Sequence, residues 1–347
     1  MRFILRLRAV LILAALVACD CSPTASTPTP TASATTTAPE SPQATTSAAT
    51  APTTTLAATP TGTPVSLPTQ ALLSAPSRDV VWTLVGGARL FLSIDRGATW
   101  SERGLPAGAQ SGEIAFANDR DGVILGAAPR ITPCPQQQPT LWSTRDGGAT
   151  WAKVSPRGIA DEGCKTGPAM IDAQRAFLGA SGGASAPAIY RTTDGGATWA
   201  AATLPDPPGF ASQPGAADLR TGVVRTFANV AVVQVTGQTN ARQFDYVYRS
   251  TDAGVAWSYV GSPPRNLPVA FVTASRWLQI IVPEESSETT DAGATWHALV
   301  TDYGQTAPVA PQVVFGDAEV GYASVRGSIQ RTTDGGVHWT GVRTPGT

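Results

Sequence analysis

Six copies of one short phrase, Ser/Thr-x-Asp-x-Gly-x-x-Trp, lie between Ser93 and Trp339. About four short apolar segments, separated by Gly, Pro and Asp turns, accompany each copy, and no convincing amphipathic helix follows residue 18. Together these observations predict an all-β fold: a six-bladed β-propeller whose blades are four-stranded antiparallel sheets. A seventh blade without the phrase is left open, although the parse leaves little chain for it.

The copies read "SIDRGATW" (93–100), "TRDGGATW" (144–151), "TTDGGATW" (192–199), "STDAGVAW" (250–257), "TTDAGATW" (289–296) and "TTDGGVHW" (332–339). Their spacing is roughly 40 to 60 residues, the range of propeller blades. Each residue type has a local reason. The aspartates (Asp95, Asp146, Asp194, Asp252, Asp291, Asp334) accept hydrogen bonds from N–H groups of their own turn. The glycines two places on (Gly97, Gly148, Gly196, Gly254, Gly293, Gly336) take a positive φ without steric cost. The tryptophans (Trp100, Trp151, Trp199, Trp257, Trp296, Trp339) open the next strand and fill space against neighbouring structure. The phrase is therefore a self-satisfied hairpin turn followed by an apolar anchor.

Strand-like runs lead into the turns: "PAIYRTTD", "DYVYRSTD" and "GSIQRTTD". Further back lie "GVILGAA" (122–128), "RAFLGAS" (175–181), "GVVRTFA" (222–228), "RWLQIIV" (276–282) and "VGYASVR" (320–326), and before those "SGEIAFA", "GPAMIDA", "LPVAFVT" and "PQVVFGD". The first blade is short of a first strand, which "QALLSA" (70–75) is placed to supply. Arg191, Arg249 and Arg331 precede their turns as repetitively as the turns themselves, so they read as blade residues.

The front of the chain has a different character. Arg2, Arg6 and Arg8 precede the apolar run "AVLILAALVA", the pattern of a secretory signal peptide and too short for a comfortable membrane span. It ends in "LVAC", which resembles a bacterial lipobox. That resemblance implies cleavage after Ala18, a signal peptide over 1–18 and a diacylglyceryl group on Cys19; simple secretion and an uncleaved anchor are the alternatives. Cys21 is the poorer lipid site, because Asp20 precedes it. Residues 19–76 complete a tether rich in Thr, Ala, Pro and Ser, whose only charge beyond Asp20 is Glu40. Such a segment buries too little apolar surface to offset ordering its backbone. Fully extended at ~3.1 Å per residue it spans well over ~100 Å. Residues 77–347 then form the propeller.

The repeated phrase resembles the Asp-box, or bacterial neuraminidase (BNR) repeat, of sialidases, sortilin-type receptors, some glucanases and photosystem II assembly-factor-like propellers. The resemblance covers the whole folded part. It departs from the pattern at Ala256 and His338, which replace Thr, and at Arg96, which stands where others have Gly or Ala. It implies a structural role for the boxes, toward the outer part of each blade and away from a ligand face. The sialidase family also implies three arginines for a substrate carboxylate, a Tyr–Glu pair and an acid/base aspartate. Arginine suits that task through its planar fork. Its Arg-Ile-Pro motif is missing; "PRITP" (129–133) is a loose echo. Arg130, Arg175, Arg220, Arg276, Tyr246, Tyr303, Glu284 and Glu285 are candidate groups only. A glycosidase needs two facing carboxylates, and Asp161, Glu162, Asp218, Glu285 and Asp302 pair in too many ways to single out any.

"GASGG" (179–183) fits G-x-S-x-G around Ser181, but a strand rather than a helix follows, so a glycine-rich hairpin loop is the better reading. Two histidines and four cysteines show no metal-ligand spacing; no catalytic residue, metal or cofactor is expected. Cys134 and Cys164 flank the second box, and oxidation is favoured outside the cytoplasm, so a disulfide between them is expected, with two free thiols as the alternative. The net charge of −1 and the lack of a basic run argue against nucleic acid. The expected protein is an exported, membrane-anchored lipoprotein whose propeller, a monomer, binds or assembles with a surface protein or glycan without turnover. A divergent, sialidase-like surface glycoside hydrolase is the alternative. The segments 129–140 and 236–245 are candidate recognition loops.

Overall fold

The computed structural model describes residues 70–127, 136–181, 187–240, 242–304 and 309–347. The chain divides into Met1–Pro60 and Thr61–Thr347, and every described residue lies in the second unit. That unit is a six-bladed β-propeller built almost entirely of antiparallel strands.

Blade 1 comprises β1 (Ala71–Ser74), β2 (Val81–Val85), β3 (Arg89–Ser93) and β4 (Ser101–Arg103). Blade 2 comprises β5 (Glu113–Phe116), β6 (Gly122–Leu125), β7 (Leu141–Thr144) and β8 (Ala152–Val154). Blade 3 comprises β9 (Cys164–Met170), β10 (Ala176–Ser181), β11 (Ala188–Thr192) and β12 (Ala200–Thr203). In blade 4 the first strand is interrupted: β13 (Ala217–Thr221) and β14 (Arg225–Phe227) both pair with β15 (Val230–Gln238), followed by β16 (Gln243–Ser250) and β17 (Ser258–Gly261). Blade 5 comprises β18 (Ala270–Phe271), β19 (Trp277–Gln279), β20 (Ser287–Thr289) and β21 (His297–Ala298). Blade 6 comprises β22 (Gln312–Phe315), β23 (Gly321–Val325), β24 (Ser328–Thr332) and β25 (Thr340–Val342). The "QALLSA" stretch does supply the first strand, so folded structure begins ahead of the boundary drawn at residue 77. Alternating Ala71, Leu73 and Ala75 are buried there, a period that the Thr/Pro composition around it hides.

First strands face the axis: β1 touches β5, β5 touches β9, β18 touches β22, and β22 returns to β1. Second strands are the most buried, β2 and β23 along their whole length. Fourth strands are largely exposed, as in β4, β8 and β21. The ring closes without a shared strand, since blade 1 is wholly N-terminal and blade 6 wholly C-terminal. Side chains replace it. Gln312 Oε1 accepts from the Leu73 N–H at 2.9 Å while its Nε2 donates to the Leu73 carbonyl at 3.3 Å, and Ser324 Oγ donates to the Ala71 carbonyl at 2.7 Å.

The repeated turn is the hairpin between third and fourth strands in all six blades. In blade 1, Ser93 Oγ donates to Asp95 Oδ1 at 2.7 Å and accepts from the Gly97 N–H at 2.8 Å. Asp95 then accepts from the Thr99 N–H at 2.8 Å and the Thr99 hydroxyl at 2.6 Å. These bonds to the charged carboxylate, the Thr99 hydroxyl first, lower its pKa to about 2. The turn in blade 4 lacks the hydroxyl, and Asp252 is served by the Ala256 and Val255 N–H groups at 3.0 Å. In blade 6 an imidazole takes the hydroxyl's place: His338 Nδ1 lies 2.5 Å from Asp334 Oδ2. The turn's central glycine has positive φ in every copy, and so does the residue before it, even where that residue is Arg96, Ala253 or Ala292. A second bond holds that strained residue. Its N–H donates to the turn between first and second strands: Arg96 to the Asp79 carbonyl, Gly147 to Arg120, Gly195 to Gln174, Ala253 to Asn229, Ala292 to Ser275 and Gly335 to Glu319, at 2.8–3.1 Å.

The core is distributed over six seams between blades rather than gathered at one centre. Each turn tryptophan enters the seam with the preceding blade: Trp100 with blade 6, Trp151 with blade 1, Trp199 with blade 2, Trp257 with blade 3, Trp296 with blade 4 and Trp339 with blade 5. Burying one such ring is worth about 1.5–3 kcal/mol or more.

Candidate functional site

Antiparallel alternation puts the repeated turns and the first-to-second turns at one end of the propeller. The second-to-third turns and the connections between blades fall at the other end. At the first end, side chains of the Asp172 and Thr273 turns bond within their own turns. Asp172 Oδ1 accepts from the Gln174 and Arg175 N–H groups at 2.9 and 2.7 Å, and Thr273 Oγ1 accepts from the Arg276 N–H at 2.8 Å.

The other end carries one element out of scale with the rest. β15 and β16 run nine and eight residues, paired from Ala231↔Ser250 to Gln238↔Gln243. The segment 236–245 is thus not a loop but the tip of a long hairpin, where the Thr239 N–H donates to the Arg242 carbonyl at 3.0 Å. The β-branched run "VAVVQVT" favours extension, and aromatic packing holds the tip. Phe210 and Tyr246 meet edge to face at 5.9 Å, Tyr246 and Tyr259 at 6.2 Å, and Tyr248 and Tyr259 at 5.9 Å. Phe210 lies against Gly237, where a Cβ would come within 2.5 Å of the ring, so only glycine fits beneath it. Arg242 stacks over Phe244 at 4.6 Å. Gln238, Asn240, Arg242 and Gln243 are exposed and Phe244 is partly so. Asn266 Nδ2 ties the next connection to the Gln243 carbonyl at 2.7 Å.

Beneath the tip, Asp245 is buried and served by neutral donors, Thr236 Oγ1 at 2.7 Å and Gln243 Nε2 at 3.4 Å. Burial outweighs these bonds and raises its pKa. Glu113, at the start of β5, spans to blade 3, accepting from the Gly167 N–H at 2.8 Å and Thr166 Oγ1 at 3.2 Å. Burial raises its pKa as well. Lys165 is fully buried in a ring of carbonyls, with Nζ 2.8 Å from the Glu162 oxygen and 2.9 Å from that of Gly163. It stitches two connecting segments together, and burial lowers its pKa. None of these three groups carries a sequence signal beyond a charge beside apolar residues.

The sequence candidates are dispersed. Arg175 pairs with Asp172 at 2.7 Å and Arg276 with Glu288 at 3.0 Å, both in first-to-second turns at the repeated-turn end. Arg220 in β13 lies 3.7 Å from Asp218. Glu285 pairs with Arg265 at 2.9 Å, and Glu284 stands beside it in a short 3-10 turn. Asp302 caps the Trp339 N–H at 2.8 Å, and Tyr303 is fully buried against Trp339 at 5.5 Å. Asp161 accepts from Gln138 at 3.4 Å, while Glu162 offers its carbonyl to Lys165. Arg130 and Cys134 lie outside the described residues, as does most of 129–140. Cys164 opens β9 and is disulfide-bonded. Ser181 ends β10, and the next described element is strand β11. Among the described residues no group of three or more His, Cys, Asp or Glu is placed to hold a metal, and no helix is long and apolar enough to cross a membrane.

The sequence matches no protein-family profile and no curated protein. Among solved structures the chain is similar to YCF48 bound to D1 peptide, at 17% identity over 77% of this chain and 94% of that one, with a TM-score of 0.44. It is similar to YCF48 from Cyanidioschyzon merolae at 18% identity over 81% and 89%, with a TM-score of 0.47. An α-L-arabinofuranosidase from Fusarium graminearum, in complex with an iminosugar inhibitor, stands at 13% identity over 73% and 87%, also with a TM-score of 0.47. Likeness at this level assigns no activity to the chain.

Proposed function

We propose that this chain is an exported lipoprotein, cleaved after Ala18 and lipidated on Cys19, whose tether presents the propeller outside the cytoplasm as a non-catalytic binding or assembly module for a surface protein or glycan. The blade 4 hairpin supports the binding role. It projects exposed amides, a guanidinium and a partly exposed ring from a tip locked by aromatic packing, so its polar groups meet a ligand at little entropic cost. Arg242 stacked on Phe244 and the flanking Gln238 and Gln243 match hydroxyl-rich or peptide surfaces.

Crosslinking and pull-down of the anchored protein from its own cell envelope test this function. A reproducible, near-stoichiometric surface partner, lost with R242A/F244A while the melting temperature holds, is the expected result. Equal capture by the double variant refutes the hairpin as the site. C19A is expected to move the protein from the membrane to the soluble fraction; retention refutes the anchor.

A glycoside hydrolase is the second reading. It is favoured by the raised pKa values of Glu113 and Asp245, a property that general acids share. Hydrolysis on a glycoside panel that E113Q or D245N abolishes, with the fold intact, would put this reading first.

A further inference from the structure

Arg225 stands in β14, on the innermost edge of blade 4. Through Nη2 it donates to the carbonyl of Phe315, the last residue of β22 in blade 6. The side chain therefore passes blade 5, whose first strand is only two residues long. First strands face the axis, so the guanidinium crosses blade 5 on its axial side.

Eight other arginines, Arg78 and Arg276 among them, lie within 4 Å of a carboxylate. Arg225 has no carboxylate partner among the described residues, and its Nε, like those of Arg103, Arg249 and Arg331, is closed off from solvent without an acceptor. A guanidinium keeps its proton at any accessible pH. One carbonyl does not compensate a full charge removed from water. Burial alone lowers the Arg225 pKa, with no neighbouring charge acting against it. The residue as a whole retains partial exposure.

We propose that the central channel binds a small anion at Arg225, a carboxylate or an inorganic oxyanion that accepts hydrogen bonds from the guanidinium. The planar fork suits both. The site is independent of the blade 4 hairpin and of whatever that hairpin binds.

Thermal melts of the full chain in sodium acetate, sodium phosphate and sodium chloride at matched ionic strength, for wild type and R225M, test it. At about ten times Kd, the bound anion is expected to raise the wild-type midpoint saturably by about 2–4 °C, and R225M is expected to show no rise. A rise in acetate alone identifies a carboxylate site, and a rise in phosphate alone an inorganic oxyanion site. A flat wild-type response overturns the proposal. So does an equal rise in R225M, which marks an adventitious ion only. Should R225M fail to fold, acetate carbon-13 and phosphate phosphorus-31 titrations of the wild-type chain decide: a saturable shift supports the site, and a strictly linear one overturns it.

Discussion

Gly254→Ala and Gly196→Ala make the same chemical change at the same turn position with different surroundings. Both glycines have a left-handed backbone, with φ +85° and +94°. Alanine there costs about 1–2 kcal/mol in the fold, offset by about 0.4–1 kcal/mol from the less free unfolded chain. Strain alone therefore gives a net loss of about 0–1.6 kcal/mol. A Cβ on Gly196 would rest 3.6 Å from Val154, an ordinary contact. A Cβ on Gly254 would fall 2.4 Å from Phe177 Cε1. Phe177 is 1% exposed and held edge to face against Trp257 at 6.5 Å, so admitting the methyl group disturbs that packing. Overpacking of this kind adds about 1–3 kcal/mol. Gly254→Ala is expected to cost about 1–4.6 kcal/mol in all, and to lie about 1–3 kcal/mol below Gly196→Ala. Urea unfolding of the full chain by tryptophan fluorescence, with equal slopes, measures the difference. Equal losses for the two variants would refute the claim that close approach to Phe177 fixes this glycine.

Ala253→Gly should stabilise the chain by up to about 1 kcal/mol, because alanine there holds φ +58° against its preference; a loss in the same urea assay would show that the bond to Asn229 carries the strain at no cost. Gln312→Ala strands the Leu73 N–H at the ring closure and should cost about 1–3 kcal/mol, read as a lower melting temperature with blades 1 and 6 losing amide protection first. His338 has a pKa raised by its bond to Asp334, so its contribution is full below the unfolded value of about 6.5 and fades as pH rises through the folded value. Asp334 is opposed by burial but drawn down to about 2 by His338, so its contribution is present above about 3.9 and fails only in acid. His338→Thr should remove the loss of stability seen in melts as pH rises above about 6.5, and an unchanged profile would place that pH dependence elsewhere.

The parts of this molecule legible in the sequence are those whose physics is local. Ser93 bonds to Asp95 and Gly97, and Asp95 to Thr99, each within four residues, so the string itself states the bonds, and six strings imply six blades. The alternation of Ala71, Leu73 and Ala75 was readable too, although the tether composition obscured where folding starts. The 236–245 hairpin looked like a loop because its glycine and polar residues resemble a turn; pairing with β16 and packing by Phe210 decided otherwise. The remaining features join residues far apart in the chain. The Arg96 N–H answers Asp79, each tryptophan enters the preceding blade's seam, Gln312 reaches Leu73, and Arg225 reaches Phe315 past blade 5. No local propensity encodes such contacts, because they exist only once the blades are arranged around an axis. The sequence by itself therefore determined the repeating unit and its turn chemistry. The tertiary structure alone decided how the ring closes, which polar groups it leaves exposed on the blade 4 hairpin, and where it leaves a charge unanswered.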